Sequence, residues 1–213
     1  MRTLLKRSLL LLLAFPGISA LPQTQTPVNL GPVINTEARD AEPTFAADGL
    51  TMYFNCFDRE GEKGSDICVS HWEDNAWSDP RIVWEVSTRE YLEVEPLLSP
   101  DGKQLYIMSN RPGGKGGHDI WVSELIEGNW TTPKNLDGPM NSAYSDHCLY
   151  FAGDDWEIAY WTSTRPGGFG GNDIWTSEKV DGLWQAAVNL GPNVNSAASE
   201  HHSLPSPDGN SLY

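Results

Sequence analysis

Residues 99–124 read "SPDGKQLYIMSNRPGGKGGHDIWVSE", and the glycine-laden half returns as "STRPGGFGGNDIW" at 163–175. Such a loop admits two readings. It cradles phosphate where a helix follows, because the helix N-terminus offers free N–H groups. It is a wide hairpin where a strand follows, since glycine supplies the positive φ that such loops need. Here both flanks read as strands. In "KQLYIMS", Leu105 and Ile107 share one face while Tyr106 and Met108 share the other. "DIWVSEL" reads as the next strand, and no Lys-Ser/Thr pair follows the glycines. The equivalent "DREGEKGSDIC" (58–68) carries acids that repel phosphate. The loop is a structural turn.

The pattern recurs along the chain. Asp66-Ile67, Asp119-Ile120 and Asp173-Ile174 lie 53 and 54 residues apart. Trp77, Trp130 and Trp184 keep that spacing, as do Tyr53, Tyr106, Tyr160 and Tyr213. The turn "AADG" (46–49) becomes "SPDG" at 99–102 and 206–209, with "AGDD" (152–155) in the third repeat. A period this long marks a stacked or ring-like array of one supersecondary unit. Each unit reads as four short strands: "EPLL", "KQLYIMS", "DIWVSEL" and "NWTTPKNL". Four antiparallel strands per repeat predict an all-β fold, a β-propeller of four-stranded blades.

These residues carry a resemblance. "SPDGKQLYIMSNRPGGKGGHDIWVSE" resembles the PD40, or WD40-like, β-propeller repeat of TolB-type exported proteins, over about residues 28–213. The resemblance implies an envelope scaffold that docks other molecules, by analogy of fold. It places blades at 37–83, 91–136 and 144–190, with a partial blade at 198–213. About three and a half blades form an incomplete ring, so the chain is expected to be the front part of a longer protein. "TPVNLGPVIN" (26–35) matches "TPKNLDGPMN" (132–141) and "AAVNLGPNVN" (186–195). The segment 21–36 is therefore expected to hold an orphan outer strand that closes the ring.

Residues 1–20 read as a secretory signal peptide: Arg2, Lys6 and Arg7 precede the apolar "SLLLLLAF", and cleavage is expected after Ala20. The apolar run is too short to span a bilayer. Removing those three positive charges takes the formal charge from −15 to −18. So acidic a surface repels nucleic acid and anionic membranes. Nine Trp, seven Tyr and six Phe supply core material despite the acidity. The expected location is periplasmic or extracellular, without membrane insertion after the signal is removed.

Three cysteines are an odd number for an oxidising compartment. A bridge between Cys56 and Cys68 is conceivable across one turn, but the preferred reading makes Cys56, Cys68 and Cys148 small buried hydrophobes.

Residues that recur in every repeat build the blade. Asp66, Asp119 and Asp173 are expected to accept hydrogen bonds that fix the glycine loop, and the neighbouring acids are too few for calcium. Function is sought where the pattern breaks. "DAEP" (40–43) and "EVEP" (93–96) give way to "DHCL" (146–149) and "EHHSLP" (200–205), on segments leading into the innermost strands. Asp146, His147, Glu200, His201 and His202 are the candidate ligand-binding residues. Zinc or iron chemistry is conceivable for them, yet adjacent histidines on a strand face opposite ways. No metal or cofactor is expected. Asp154, Asp155 and Trp156 read as an exposed loop. No GxSxG elbow is present, and the regular carboxylates follow the turns rather than a glycosidase pair. The sequence thus favours a non-catalytic scaffold with an envelope protein or glycan as partner. The alternative is the propeller part of a larger exported peptidase or glycosidase.

Overall fold

The computed structural model describes residues 26–61, 64–153, 155–206 and 211–213. The signal segment 1–20, Asp154 and residues 207–209 of the last "SPDG" lie outside the described residues. No described helix is long and apolar enough to cross a membrane.

The described secondary structure is all strand, in three antiparallel blades. The first blade has β1 (Asp40–Phe45), β2 (Thr51–Phe57) and β3 (Ser65–Glu73), with an outer strand split into β4 (Ala76–Trp77) and β5 (Arg81–Ile82). The second has β6 (Glu93–Leu98), β7 (Gln104–Ser109), β8 (Asp119–Ile126), β9 (Asn129–Trp130) and β10 (Lys134–Asn135). The third has β11 (Asp146–Ala152), β12 (Ile158–Ser163), β13 (Asp173–Val180), β14 (Leu183–Trp184) and β15 (Val188–Asn189). Each blade runs from an innermost strand outward, which is the order in a propeller.

The register repeats with the sequence. Tyr53 lies opposite Val69, Tyr106 opposite Val122 and Tyr160 opposite Thr176. The fourth strand differs from the sequence reading. "NWTTPKNL" is two dipeptide pieces, each paired with β8, and the third blade splits its outer strand the same way without a proline. Residues 26–36 form no strand among the described residues. Asn29 accepts N–H groups of Gly31 and Asn35 there, in a compact turn. Among the described residues of the partial fourth repeat, a single bridge joins Pro205 and Leu212.

Strand alternation sends side chains to two neighbours. Leu98, Leu105, Ile107, Trp121 and Trp130 of the second blade pack with Ile67 and Val69 of the first. Tyr106 and Ile120 turn the other way, to Leu149, Trp161 and Trp175 of the third. A further cluster joins Ile34 to Met52, Phe54 and Cys68 of the first blade. Trp130 donates its indole N–H to the Tyr53 hydroxyl at 3.2 Å, so this repeated aromatic reaches across to the preceding blade.

The opening loop also serves blade contacts. Asp119 accepts the N–H groups of Lys115 and Gly116, and Asp173 those of Phe169 and Gly170. A Cβ at Gly116 would lie 1.7 Å from the carbonyl oxygen of Tyr144, in the lead-in to the next blade. Only glycine permits that approach.

The preferred cysteine reading holds for Cys148 alone. Cys56 and Cys68 are bridged, with their Cα atoms 5.8 Å apart. Cys56 lies opposite Asp66 and Cys68 opposite Phe54, so the hairpin puts both on one face, two rungs apart. That is disulfide distance.

Candidate functional site

The innermost strands β1, β6 and β11 share one irregularity. Their registers slip between Ala41 and Thr44, Val94 and Leu97, and His147 and Tyr150. At each slip a non-glycine residue adopts positive φ: Glu42 at 54°, Glu95 at 57° and Cys148 at 52°. His202, at the same point of the fourth repeat, has 53°. A left-handed residue with a side chain costs about 1–2 kcal/mol. Four in equivalent places are held there by the blades, and β-bulges of this kind re-aim side chains.

The residue two before each bulge holds the frame. Asp40 pairs with Arg59 at 2.9 Å, Glu93 with Arg111 at 2.9 Å and Asp146 with Arg165 at 2.7 Å. Each arginine comes from the loop after its own second strand and also donates to carbonyls preceding its blade. Arg165 donates to Pro139 and Met140 at 2.8 and 2.7 Å, and Arg111 to Val86. The guanidinium of Arg165 lies 5.3 Å from the Trp175 ring centre. Sequence reasoning passed over this recurrence, although Arg59, Arg111 and Arg165 recur 52 and 54 residues apart, close to the period.

The structure therefore divides the sequence candidates. Asp146 is fully buried and engaged by Arg165 and by the backbone N–H and hydroxyl of Ser142. Glu200 accepts the Ser196 hydroxyl. His147, His201 and His202 gather instead with three residues the sequence did not single out as ligands: Glu42, Glu95 and Cys148. The Cys148 thiol points to Glu95 Oε1 at 3.2 Å, and its N–H donates to Glu95 Oε2. His147 Nδ1 lies 3.2 Å from Cys148 Sγ and 3.7 Å from Glu95 Oε1. His202 Nε2 lies 4.0 Å from Cys148 Sγ and 3.7 Å from Glu42 Oε1. Asn172 bridges His147 and His201, with its Oδ1 at 3.3 Å and its Nδ2 at 3.1 Å. Asn55 donates to Glu42 and accepts the Glu95 N–H at 2.8 Å. Beside this cluster a cavity of ≈ 280 Å³ is lined by Glu42, Glu95, Cys148, Tyr150 and Leu204.

Charge states follow from these contacts. Burial raises the Glu42 pKa, and the Glu95 carboxylate adds to it. Burial also pushes Glu95 upward, but His147 and the Cys148 N–H outweigh it and leave the acid below its ordinary value. Burial lowers His147, yet Glu95 reverses this and holds the imidazole above its usual range. Burial and Glu95 together push the Cys148 thiol far up. His201 falls, through desolvation and the neighbouring imidazoles. The Tyr150 hydroxyl rises to about 12, again through burial.

No family model and no curated protein matches this sequence. Solved structures do. A protein described as TolB from Agrobacterium tumefaciens superposes with TM-score 0.54 at 17% identity, over 83% of this chain and 58% of that one. An α-L-arabinofuranosidase from Lactobacillus brevis gives 0.47 at 18% identity, over 70% and 53%. A puromycin-hydrolysing peptidase from Mycobacterium tuberculosis gives 0.46 at 18%, over 76% and 24%. The chain thus spans a little over half the length of the TolB chain. The first superposition, with the blade topology above, identifies the fold as a partial β-propeller; at this identity it speaks to fold alone.

Proposed function

We propose that this chain is a PD40-type propeller of an exported binding protein, acting in the periplasm or outside the cell. Its partner is an envelope protein or glycan, received on the face where Glu42, Glu95, Cys148 and His202 converge. Export rests on the segment 1–20, and the blades on the boundaries 37–83, 91–136 and 144–190.

One observation carries this reading. The acid–arginine frame is kept in all three blades, while the bulge residue beside it changes from Glu to Glu to Cys to His. A fixed frame with a varied axial position is how a repeat scaffold makes one asymmetric site. The site is built to hold rather than to transfer protons. Both Glu95 oxygens are engaged by Cys148, and Glu42 is tied to Asn55.

The hydrolase alternative draws on one feature: burial and charge push the pKa values of Glu42 and Glu95 apart, as in acid–base pairs. Binding of purified envelope proteins and peptidoglycan fragments, measured by interferometry beside peptidase and glycosidase assays, separates the two. His202→Ala is expected to weaken binding and His71→Ala to leave it unchanged. Turnover abolished by Glu42→Gln would overturn the scaffold reading.

A further inference from the structure

Cys148 is the one cysteine outside the disulfide, and its sulfur contacts Glu95 of the second repeat and His202 of the fourth. The geometry points to a zinc site formed by Cys148 Sγ, His147 Nδ1, Glu95 Oε1 and His202 Nε2, joining the second, third and fourth repeats. This rests on reading that face as a binding site and names what it holds.

The donor spacing is that of a coordination polyhedron. Zinc–sulfur and zinc–nitrogen bonds of about 2.3 and 2.0 Å give a tetrahedron with edges of about 3.3–3.5 Å. The separations found are 3.2 Å for His147 to Cys148, 3.2 Å for Cys148 to Glu95, 3.7 Å for His147 to Glu95 and 4.0 Å for Cys148 to His202. The donors of Glu95, Cys148 and His202 all lie within 4.8 Å of one another.

The outer contacts are those that metal-bound imidazoles require, a partner on the second ring nitrogen. His147 Nε2 faces Asn172 Oδ1 at 3.3 Å, and His202 Nδ1 faces the Tyr150 hydroxyl at 3.5 Å. His201, whose Nε2 faces the Asn172 amide at 3.1 Å, lies within the same reach of His147 and Cys148. The donor chemistry decides the ion. At the bulge, the first two repeats present oxygen and the next two sulfur and nitrogen. Thiolate and imidazole favour zinc, whereas calcium and magnesium take oxygen. On binding, the zinc ion replaces the thiol proton: a zinc–thiolate bond forms, the S–H bond breaks, and the proton leaves to solvent. No oxidant or reductant takes part.

Cobalt(II) serves as the spectroscopic probe for the zinc position. Titrated into metal-free protein, it is expected to bind at one equivalent with tetrahedral d–d bands and a thiolate-to-cobalt charge-transfer band, and zinc should displace it. Cys148→Ser should abolish the charge-transfer band and weaken zinc binding more than about a hundredfold, beyond the 10–100-fold that loss of an outer contact costs. His202 is 45% exposed in its side chain, so His202→Ala keeps the fold intact and should weaken zinc as well. His71→Ala should change nothing. No cobalt uptake, or uptake that survives Cys148→Ser unchanged, overturns the site. Partner binding by chelated protein that takes up no zinc would overturn the metal site alone and leave the binding face standing.

Discussion

Glu42 shows how a single side chain on this axis trades stability for placement. Its carboxyl is partly buried, faces Glu95, and sits on a left-handed backbone that the bulge imposes. The folded pKa therefore lies above the unfolded value, so the native state binds the proton more tightly. That contribution is fully present at low pH and is lost as pH rises through the folded value. At neutral pH the ionised Glu42 is a liability. Glu42→Gln keeps an oxygen for the Asn55 amide and removes the charge. It is expected to raise the thermal midpoint at pH 7 and to leave it unchanged below the ordinary glutamate range. Melting curves across pH check this; a lower midpoint at pH 7 would show that the carboxylate is stabilised by contacts stronger than its burial. Glu95 runs the other way. Its lowered pKa stabilises above the unfolded value near 4.5, and that stability is lost on acidification.

Among the elements, the innermost strand and the loop after the second strand act as a unit through arginine. Glu93 is fully buried, and its carboxylate takes Arg111, the Ser109 hydroxyl and the Thr88 N–H. Burial pushes its pKa up despite these partners. Removing the guanidinium leaves a carboxylate with its main counter-charge gone, and such losses cost about 3–5 kcal/mol. Arg111→Ala should lower stability by that order in urea unfolding, whereas Arg89→Ala, whose guanidinium rests on the Trp84 ring, should cost far less. Equal losses would show that the pair is screened. The hairpins, their alternation and the blade repeat were legible in sequence, because each is local and recurs at a fixed period. The bulge was not. It shifts the axial position by one residue, so Cys148 and Glu95 came into the site only through backbone conformation. Asp146 looked exceptional beside a histidine, yet it is the third copy of the frame acid seen at Asp40 and Glu93. The disulfide depended on which face each cysteine takes, and spacing leaves that open.

Over the whole molecule, stability is shared between neighbours. The hydrophobic cores lie between neighbouring blades, so the array's stability is largely a sum of repeat and interface terms. The second blade contributes to two cores: Leu105 and Ile107 face the first blade, while Tyr106 and Ile120 face the third. Its strands open only when both interfaces are lost. The third blade leaves Leu183 and Val188 70% and 58% exposed at its outer strand. Amides of β7 should therefore exchange with deuterium more slowly than those flanking β14 and β15. Leu105 has no exposure, and Leu105→Ala should cost about 2–5 kcal/mol through lost burial and a residual cavity. The distribution of that loss is the informative part. Exchange is expected to quicken in β2, β3, β7 and β8, which share the Leu105 core, and to change least in β12 and β13. A uniform increase across all three blades would mean that they unfold as one cooperative body, and that the interfaces are stronger than the blades they join.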